Sequence, residues 1–325
     1  MIRALALLEA LAINYLNFTF KGGTSLILLL PEPRRFSVDI DMLTEHSREE
    51  LEVVFDKIIE SGAFTKWELD EPRSYKAGVP KAHYFFHFDS KLNKQAGYIL
   101  LDVLFKKHQY PLVNMVPIRS SWLNLVGELT EVEVPSIESI LGDKLTAFAP
   151  NTTGVLYGKD KSLEIVKQLH DVGHLFDHVQ DVKIVAESFA GLVAQEIQYR
   201  NLQVTPDHVL DDIIETALLI GKTEKHHERN EIAKYNEIRA GLYQFGTFLM
   251  TGNFYIETAI ESAAKAAYLA AKLKVRDFSP IQYLKNEETT FQFEAMPYNA
   301  LNRLRKMRNG SLFYWSKAAE LLGVK

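Results

Sequence analysis

The sequence predicts an α+β fold, with strands and helices together in its first half and helices alone in its second. Three observations carry this. Short stretches before residue 135 alternate apolar and polar residues with period two, stretches after it repeat apolar residues at helical spacing, and a glycine pair joins an early strand to a helix. At 325 residues and a typical ~150 per domain, two domains are expected. Residues 1–150 form the first and 151–325 the second, divided by the loop-like 150–158 segment. Composition excludes several classes. Hydrophobic residues make up 47% and charged residues 24%, too balanced for a disordered or fibrous chain. The formal charge of -5 gives no global basic field, so contact with nucleic acid requires a local patch. With no cysteine, disulfides, thiolate zinc sites and cysteine nucleophiles are all ruled out, and a reducing, cytoplasmic setting is expected.

Each element follows from local pattern. Residues 2–15 set Leu5, Leu8, Leu11 and Ile13 or Tyr15 on one helical face, and Glu9 inside this apolar stretch argues against a secretory leader. No apolar run approaches the ~20 residues of a membrane span, so no membrane association is expected. Phe18-Thr19-Phe20 reads as a strand. Lys21-Gly22-Gly23-Thr24-Ser25 reads as a tight turn opening a short helix over 26–30, which Pro31 and Pro33 stop. Residues 36–42 alternate as a strand, 48–61 return to helical spacing, and 82–88 with 98–105 read as an antiparallel hairpin across the polar 89–95 turn. Beyond 135, helices are expected over 136–149, 161–178, 183–199, 206–221, 226–247, 255–273 and 296–322.

Acidic residues mark the chemistry. Asp39 and Asp41 are two apart, which on a strand points both carboxylates to one face, where like charges repel unless a divalent cation such as Mg²⁺ lies between them. Asp102 interrupts the apolar run Ile99-Leu-Leu-Asp-Val-Leu-Phe105, where an unpaired charge is costly. If the strands are neighbours, three aspartates converge in a two-metal arrangement for phosphoryl or nucleotidyl transfer. The bland alternative makes Asp39 and Asp41 solvated turn acids and pairs Asp102 with a lysine. Gly22, Gly23, Thr24 and Ser25 before a helix offer backbone N–H groups and hydroxyls to a polyphosphate, or equally a structural turn with a helix cap.

Together, Lys21-Gly22-Gly23-Thr24-Ser25-Leu26 and Arg35-x-Ser37-x-Asp39-x-Asp41 resemble the AbiEii-type nucleotidyltransferases, toxins of toxin–antitoxin and abortive-infection systems within the DNA polymerase beta-like superfamily. The resemblance implies a mixed sheet with flanking helices, Asp39, Asp41 and Asp102 as metal ligands for two Mg²⁺ ions, and Lys21 to Ser25 with Arg35 and Ser37 around the NTP. Ser136-Ile-Glu-Ser-Ile-Leu-Gly-Asp-Lys144-Leu-Thr-Ala-Phe148 is similar to the family's lysine-bearing helix, which implies a triphosphate or catalytic role for Lys144. Lys167-Gln-Leu-His-Asp171-Val is similar to its K-D-L-Y-D-L segment and gives Asp171 the second acid, with Gln168 and His170 departing from the pattern. Helix 161–178 of the second domain thereby contributes to the active site. The implied reaction moves an NMP from an NTP to an acceptor hydroxyl, a tRNA 3′ end or a protein side chain, under restraint by a separately encoded antitoxin.

Two rivals remain. His170-Asp171 with His174 and His178 at i, i+4 and i+8 resembles the core of HD-type metal phosphohydrolases, though the upstream histidine such a site needs is represented only by His108. A catalytically silent nucleotide-binding protein would keep the same fold. Arg303, Arg305, Lys306 and Arg308, and the 222–234 stretch, are the local basic surfaces on offer, or else solvated helix faces.

Overall fold

A computed structural model describes residues 1–14, 16–75, 78–90, 95–123, 126–222, 224–285 and 290–324, so Tyr15 and residues 91–94 of the expected 89–95 turn lie outside it. Two compact units result, Met1–Ser136 and Ile137–Lys325. The division precedes the expected residue 150 because the helix at Ile137–Ala147 packs along the one at Val182–Arg200, within the second unit.

In chain order the first unit comprises α1 (Ile2–Ile13), β1 (Thr19–Lys21), α2 (Gly22–Leu29), β2 (Ile40–Thr44), α3 (Arg48–Glu60), β3 (Lys66–Leu69), α4 (Glu71–Ser74), β4 (Lys81–Asp89), β5 (Ala96–Phe105), β6 (Val113–Pro117) and β7 (Glu131–Pro135). The seven strands form one sheet in the order β3-β4-β5-β2-β1-β7-β6. It is mixed: β2 with β5 and β1 with β7 run parallel, and the other pairs antiparallel. Period-two patterning sets its faces. Ala82, Tyr84 and Phe86 of β4 and Ile99, Leu101 and Val103 of β5 are buried, and α3 covers this side with Leu51, Val54, Phe55 and Ile58. Phe55 meets Tyr84 and Phe86 edge-on, each at 5.0 Å between ring centroids. A capping box between Ser47 and Glu50 starts α3.

The expected strand over 36–42 is corrected to 40–44. Phe36 and Val38 are 42% and 41% exposed, so their alternation does not mark a buried face. The reason is topological. β1 ends at Lys21 opposite Asp41, and the chain turns into α2 at Gly22, leaving residues 36–39 without a strand on that side. The glycines are themselves the first residues of α2 rather than a turn before it.

The second unit is helical: α5 (Ile137–Ala147), α6 (Ser162–Phe176), α7 (Val182–Arg200), α8 (Pro206–Gly221), α9 (Arg229–Phe245), α10 (Ile256–Lys274) and α11 (Ser311–Leu322). α10 lies at its centre, packed by α8, α6 and α11. Its small residues Ala263, Ala264, Ala266, Ala267, Ala270 and Ala271 are fully buried, which lets the neighbouring backbones approach. The expected single helix over 296–322 is two pieces, a 3₁₀ stretch at Tyr298–Lys306 and then α11, whose start is fixed by the Asn309 side chain accepting from the Ser311 N–H at 3.1 Å. Arg303, a candidate basic surface in the sequence, instead donates to the Gly221 and Lys222 carbonyls at 2.9 and 3.0 Å, and Arg305 to that of Phe291 at 3.0 Å. Among the described residues, no helix is long and apolar enough to cross a membrane.

Candidate active site

Directly opposed residues of a β-ladder send their side chains to the same face. Lys21 opposes Asp41, Asp41 opposes Asp102, and Asp102 opposes His83, so four strands contribute one row of ionisable groups. Adjacent strands lie ~4.8 Å apart, which makes Asp41 and Asp102 neighbours. Burial forces this parity, because Phe20, Ile40, Met42, Leu101 and Val103 occupy the other face. Asp39, just before β2, is held through its carbonyl, which accepts from the Thr24 hydroxyl at 2.6 Å.

The glycine pair closes against this row. Gly22 has φ +78°, and a Cβ there would stand 2.0 Å from Oδ2 of Asp41. A Cβ on Gly23 would stand 2.4 Å from Nη2 of Arg35 and 3.0 Å from Oγ of Ser37. Glycine is thus required at Gly22 for backbone conformation and favoured at Gly23 by the close approach of Arg35 and Ser37. Thr24 and Ser25 are fully buried, and Ser25 donates to the Gly22 carbonyl at 2.8 Å. Their hydroxyls hold the turn, so what α2 offers outward is its N-terminal backbone N–H groups. Arg35 is buried and donates to the Phe36 carbonyl at 3.2 Å. The Lys21 ammonium lies 5.8 Å from the centre of the Tyr110 ring.

Asp102 sits among basic residues that sequence patterning does not single out. His83 Nδ1 is 2.5 Å from Oδ1 of Asp102, and Lys81 Nζ is 3.1 Å from His83 Nε2. A carboxylate only accepts and an ammonium only donates, so the geometry assigns the imidazole proton to Nδ1: Lys81 donates to His83, and His83 donates to Asp102. Oδ2 of Asp102 lies 3.8 Å from Nη2 of Arg73, at the end of α4. The sequence signal for His83 is its place on the polar face of the 82–88 alternation, but only the strand register names its partner.

In the second unit, Lys144 of α5 and Asp171 of α6 come together at 2.9 Å, and both are buried. Lys144 also donates to Gln168 Oε1 at 3.2 Å, and His170 Nδ1 lies 3.4 Å from Oδ1 of Asp171. Lys167, four residues before Asp171, pairs with Glu164 at 2.9 Å. The ring of His170 packs on Phe245 and Phe254, with centroids 4.9 and 5.0 Å away.

A divalent cation of the Mg²⁺ type takes carboxylate oxygens, and Asp39, Asp41 and Asp102 supply that donor chemistry. Among the described residues, no group of three His, Asp or Glu side chains is already gathered to hold a metal, and that includes His170, His174 and His178. Asp102 turns one oxygen to His83 and the other toward Arg73. Asp39 and Asp41 therefore fit the ion by donor type, and Asp102 fits it through Oδ2, whose present contact is long.

A model of the family described as nucleotidyl transferase AbiEii toxin, type IV toxin–antitoxin system, matches residues 6–245. The chain belongs to the AbiEii family. The match includes Lys21 to Ser25, Asp39, Asp41, Asp102, Lys144 and Asp171, and its family consists of nucleotidyltransferase toxins of toxin–antitoxin systems. Among solved structures, this AbiEii chain is similar to JHP933 from Helicobacter pylori at 16% identity and TM-score 0.48, covering 85% of this chain and 91% of that one. It is also similar to an antigenic nucleotidyltransferase-like protein from Paracoccidioides brasiliensis at 14% identity and TM-score 0.38, covering 62% and 92%. No curated protein matches the sequence.

Proposed function

We propose that this AbiEii nucleotidyltransferase transfers an NMP from an NTP to an acceptor hydroxyl at the Asp39, Asp41 and Asp102 carboxylates, with Mg²⁺ as cofactor. The observation that carries it is the register placing Asp41 beside Asp102 while Gly22 abuts the Asp41 carboxylate. Asp39 and Asp41 would hold the ions, with Oδ2 of Asp102 as a third donor. When bound, Mg²⁺ lowers the pKa of an acceptor hydroxyl and neutralises charge on the departing pyrophosphate. The chain's own residues do the rest. Lys21, Gly22, Gly23, Thr24 and Ser25 shape the phosphate cradle, in which the backbone N–H groups at the start of α2 face the polyphosphate. Arg35 and Ser37, against Gly23, bring charge and a hydroxyl to its edge. Oδ1 of Asp102, fixed by His83, leaves the carboxylate oriented to accept the acceptor proton. Lys144 and Asp171, paired in the second unit, are assigned supporting roles by their family motifs.

The acceptor is proposed to be a tRNA 3′ end, with a protein side chain as the competing hydroxyl. The setting is the cytoplasm, with growth arrest opposed by a separately encoded antitoxin. Purified protein incubated with labelled NTPs, Mg²⁺ and total tRNA is expected to label RNA and release pyrophosphate. Asp41→Ala should abolish the label at unchanged fold. Activity surviving in Asp41→Ala sinks the assignment, and loss through His170→Ala alone, with free phosphate as product, would favour a phosphohydrolase.

A further inference from the structure

The two oxygens of Asp102 have different neighbours. Oδ1 lies 2.5 Å from His83 Nδ1, within hydrogen-bond range, whereas Oδ2 lies 3.8 Å from Nη2 of Arg73, beyond it. We infer that His83 and Arg73 divide this carboxylate between them as positioning residues. His83 engages Oδ1 throughout, and Arg73 steadies Oδ2 at a distance that a divalent ion of the Mg²⁺ type overcomes, so that Asp102 offers the ion one oxygen at a fixed bearing. This rests on the transferase reading of the same site and adds to it two residues that act through Asp102.

Three features support the division. The backbone of His83 is pinned to both ends of α4: its N–H donates to the Ser74 hydroxyl at 2.9 Å, and its carbonyl accepts from the Asp70 N–H at 2.8 Å. Both groups thus point away from β5, which makes His83 and Asp102 a non-hydrogen-bonded pair of the ladder, the kind whose side chains stand closer. The imidazole itself is committed at both nitrogens. Lys81 Nζ, 3.1 Å away, donates to Nε2 and leaves the proton on Nδ1 for Asp102. The ring therefore turns no lone pair toward Asp102, and it orients the carboxylate rather than taking its proton. Arg73, by contrast, is loosely held. Its side chain is 48% exposed and its other acidic contact, Asp70, is at 3.9 Å, so the guanidinium gives up Oδ2 at little cost. His87, on the same face of β4, has another role, since its Nε2 meets Glu68 of β3 at 2.8 Å.

The test titrates the full chain with Mn²⁺ alone and reads the free ion by electron paramagnetic resonance, so that binding is measured without turnover. His83→Ala should weaken Mn²⁺ binding by roughly ten- to hundredfold at a similar melting temperature. His83→Asn should recover most of the affinity, because the Asn amide nitrogen takes the place of Nδ1 and still donates to Oδ1. His83→Gln, whose amide falls where Nε2 was, should not. Arg73→Gln should act in the opposite sense and tighten Mn²⁺ binding by about threefold or more, because a cation competing for Oδ2 is gone. His87→Ala is the control and should match wild type. Mn²⁺ affinity equal to wild type in His83→Ala overturns the inference, as does equal weakening in the Ala and Asn variants, weakening in Arg73→Gln, or a wild type that binds no Mn²⁺. Affinity that follows His83 and Arg73 as described, in a chain that transfers no NMP, supports the positioning and removes the transferase reading instead. Transfer that persists while Mn²⁺ affinity is indifferent to both residues leaves that reading and removes the positioning.

Discussion

At the scale of single residues, the two glycines of α2 look interchangeable in sequence but meet different neighbours. Gly22 combines a left-handed φ of +78° with a Cβ position 2.0 Å from the Asp41 carboxylate. Alanine there adds backbone strain of about 1 kcal/mol and must also displace the acid proposed to hold the metal. Gly22→Ala should therefore lower transfer by roughly a hundredfold or more, beyond what its small loss of thermal stability explains; equal losses in activity and stability would count against the site. Gly23 abuts the far end of Arg35, which can swing away. Gly23→Ala should keep the fold within about 1 kcal/mol and act by raising KM for NTP more than it lowers kcat, as steady-state kinetics can separate. Sequence spacing anticipates the glycines and the aspartates but not Arg73, Lys81 and His83. Charged residues on half-exposed strands are common, and only register tells which of them faces Asp102.

Among whole elements, legibility follows pattern length. Long helices such as α6, α8 and α10 carry enough turns for their period to stand out, and the predicted bounds coincide with the observed ones for α8 and differ by one or two residues for α6 and α10. β3, β6 and β7 escape sequence reading because strands of four or five residues with mixed exposure, Lys66-Trp-Glu-Leu69 among them, show too little alternation. The loop between α5 and α6 is legible as a loop, but not its anchor. Asp212 of α8 is buried and accepts from the Asn151 N–H and side chain at 2.8 and 2.5 Å, the Thr152 hydroxyl at 2.7 Å and the Thr216 hydroxyl at 3.2 Å. One acidic side chain thus supplies acceptors for a loop that has no ladder of its own. Asp212→Ala leaves these donors unmatched and should cost about 3 kcal/mol in urea unfolding; a loss under about 1 kcal/mol would mean the loop is held elsewhere. Lys144 and Asp171 tie α5 to α6 in a similar way, since removing one partner of a buried pair strands the other. Lys144→Ala is expected to lose about 3 kcal/mol and Lys144→Arg much less, so the arginine variant is the cleaner probe of any role in transfer.

Over the molecule as a whole, buried and paired carboxylates should shape acid stability in opposite senses. Burial raises the pKa of Asp212 and, with Asp212 and Asp211 nearby, that of Glu215. For these two, the folded state binds a proton more readily than the unfolded chain, so stability increases as pH falls from their raised values toward the ordinary range near 3.8 and 4.5. Asp277 behaves the other way. The ammonium of Lys272, itself buried, holds it at 2.6 Å, and with help from Ser279 its carboxyl is pulled down to about 2. Its contribution, at most about 2 kcal/mol for a group partly open to solvent, is complete above the ordinary value and lost as pH drops toward 2. Glu50, lowered by the Ser47 backbone in the α3 capping box, adds to the same acid limb. Unfolding free energy measured by urea titration should therefore rise gently below neutrality and then fall steeply under pH 4. Each limb has its own variant: Asp212→Asn should flatten the rise, and Asp277→Asn should shallow the fall while lowering stability at pH 7. A profile in which Asp277→Asn changes neither the acid limb nor the neutral value would show that Lys272 is neutralised by other means. The buried lysine of α10 would then owe its place in the core to something other than the Asp277 carboxylate.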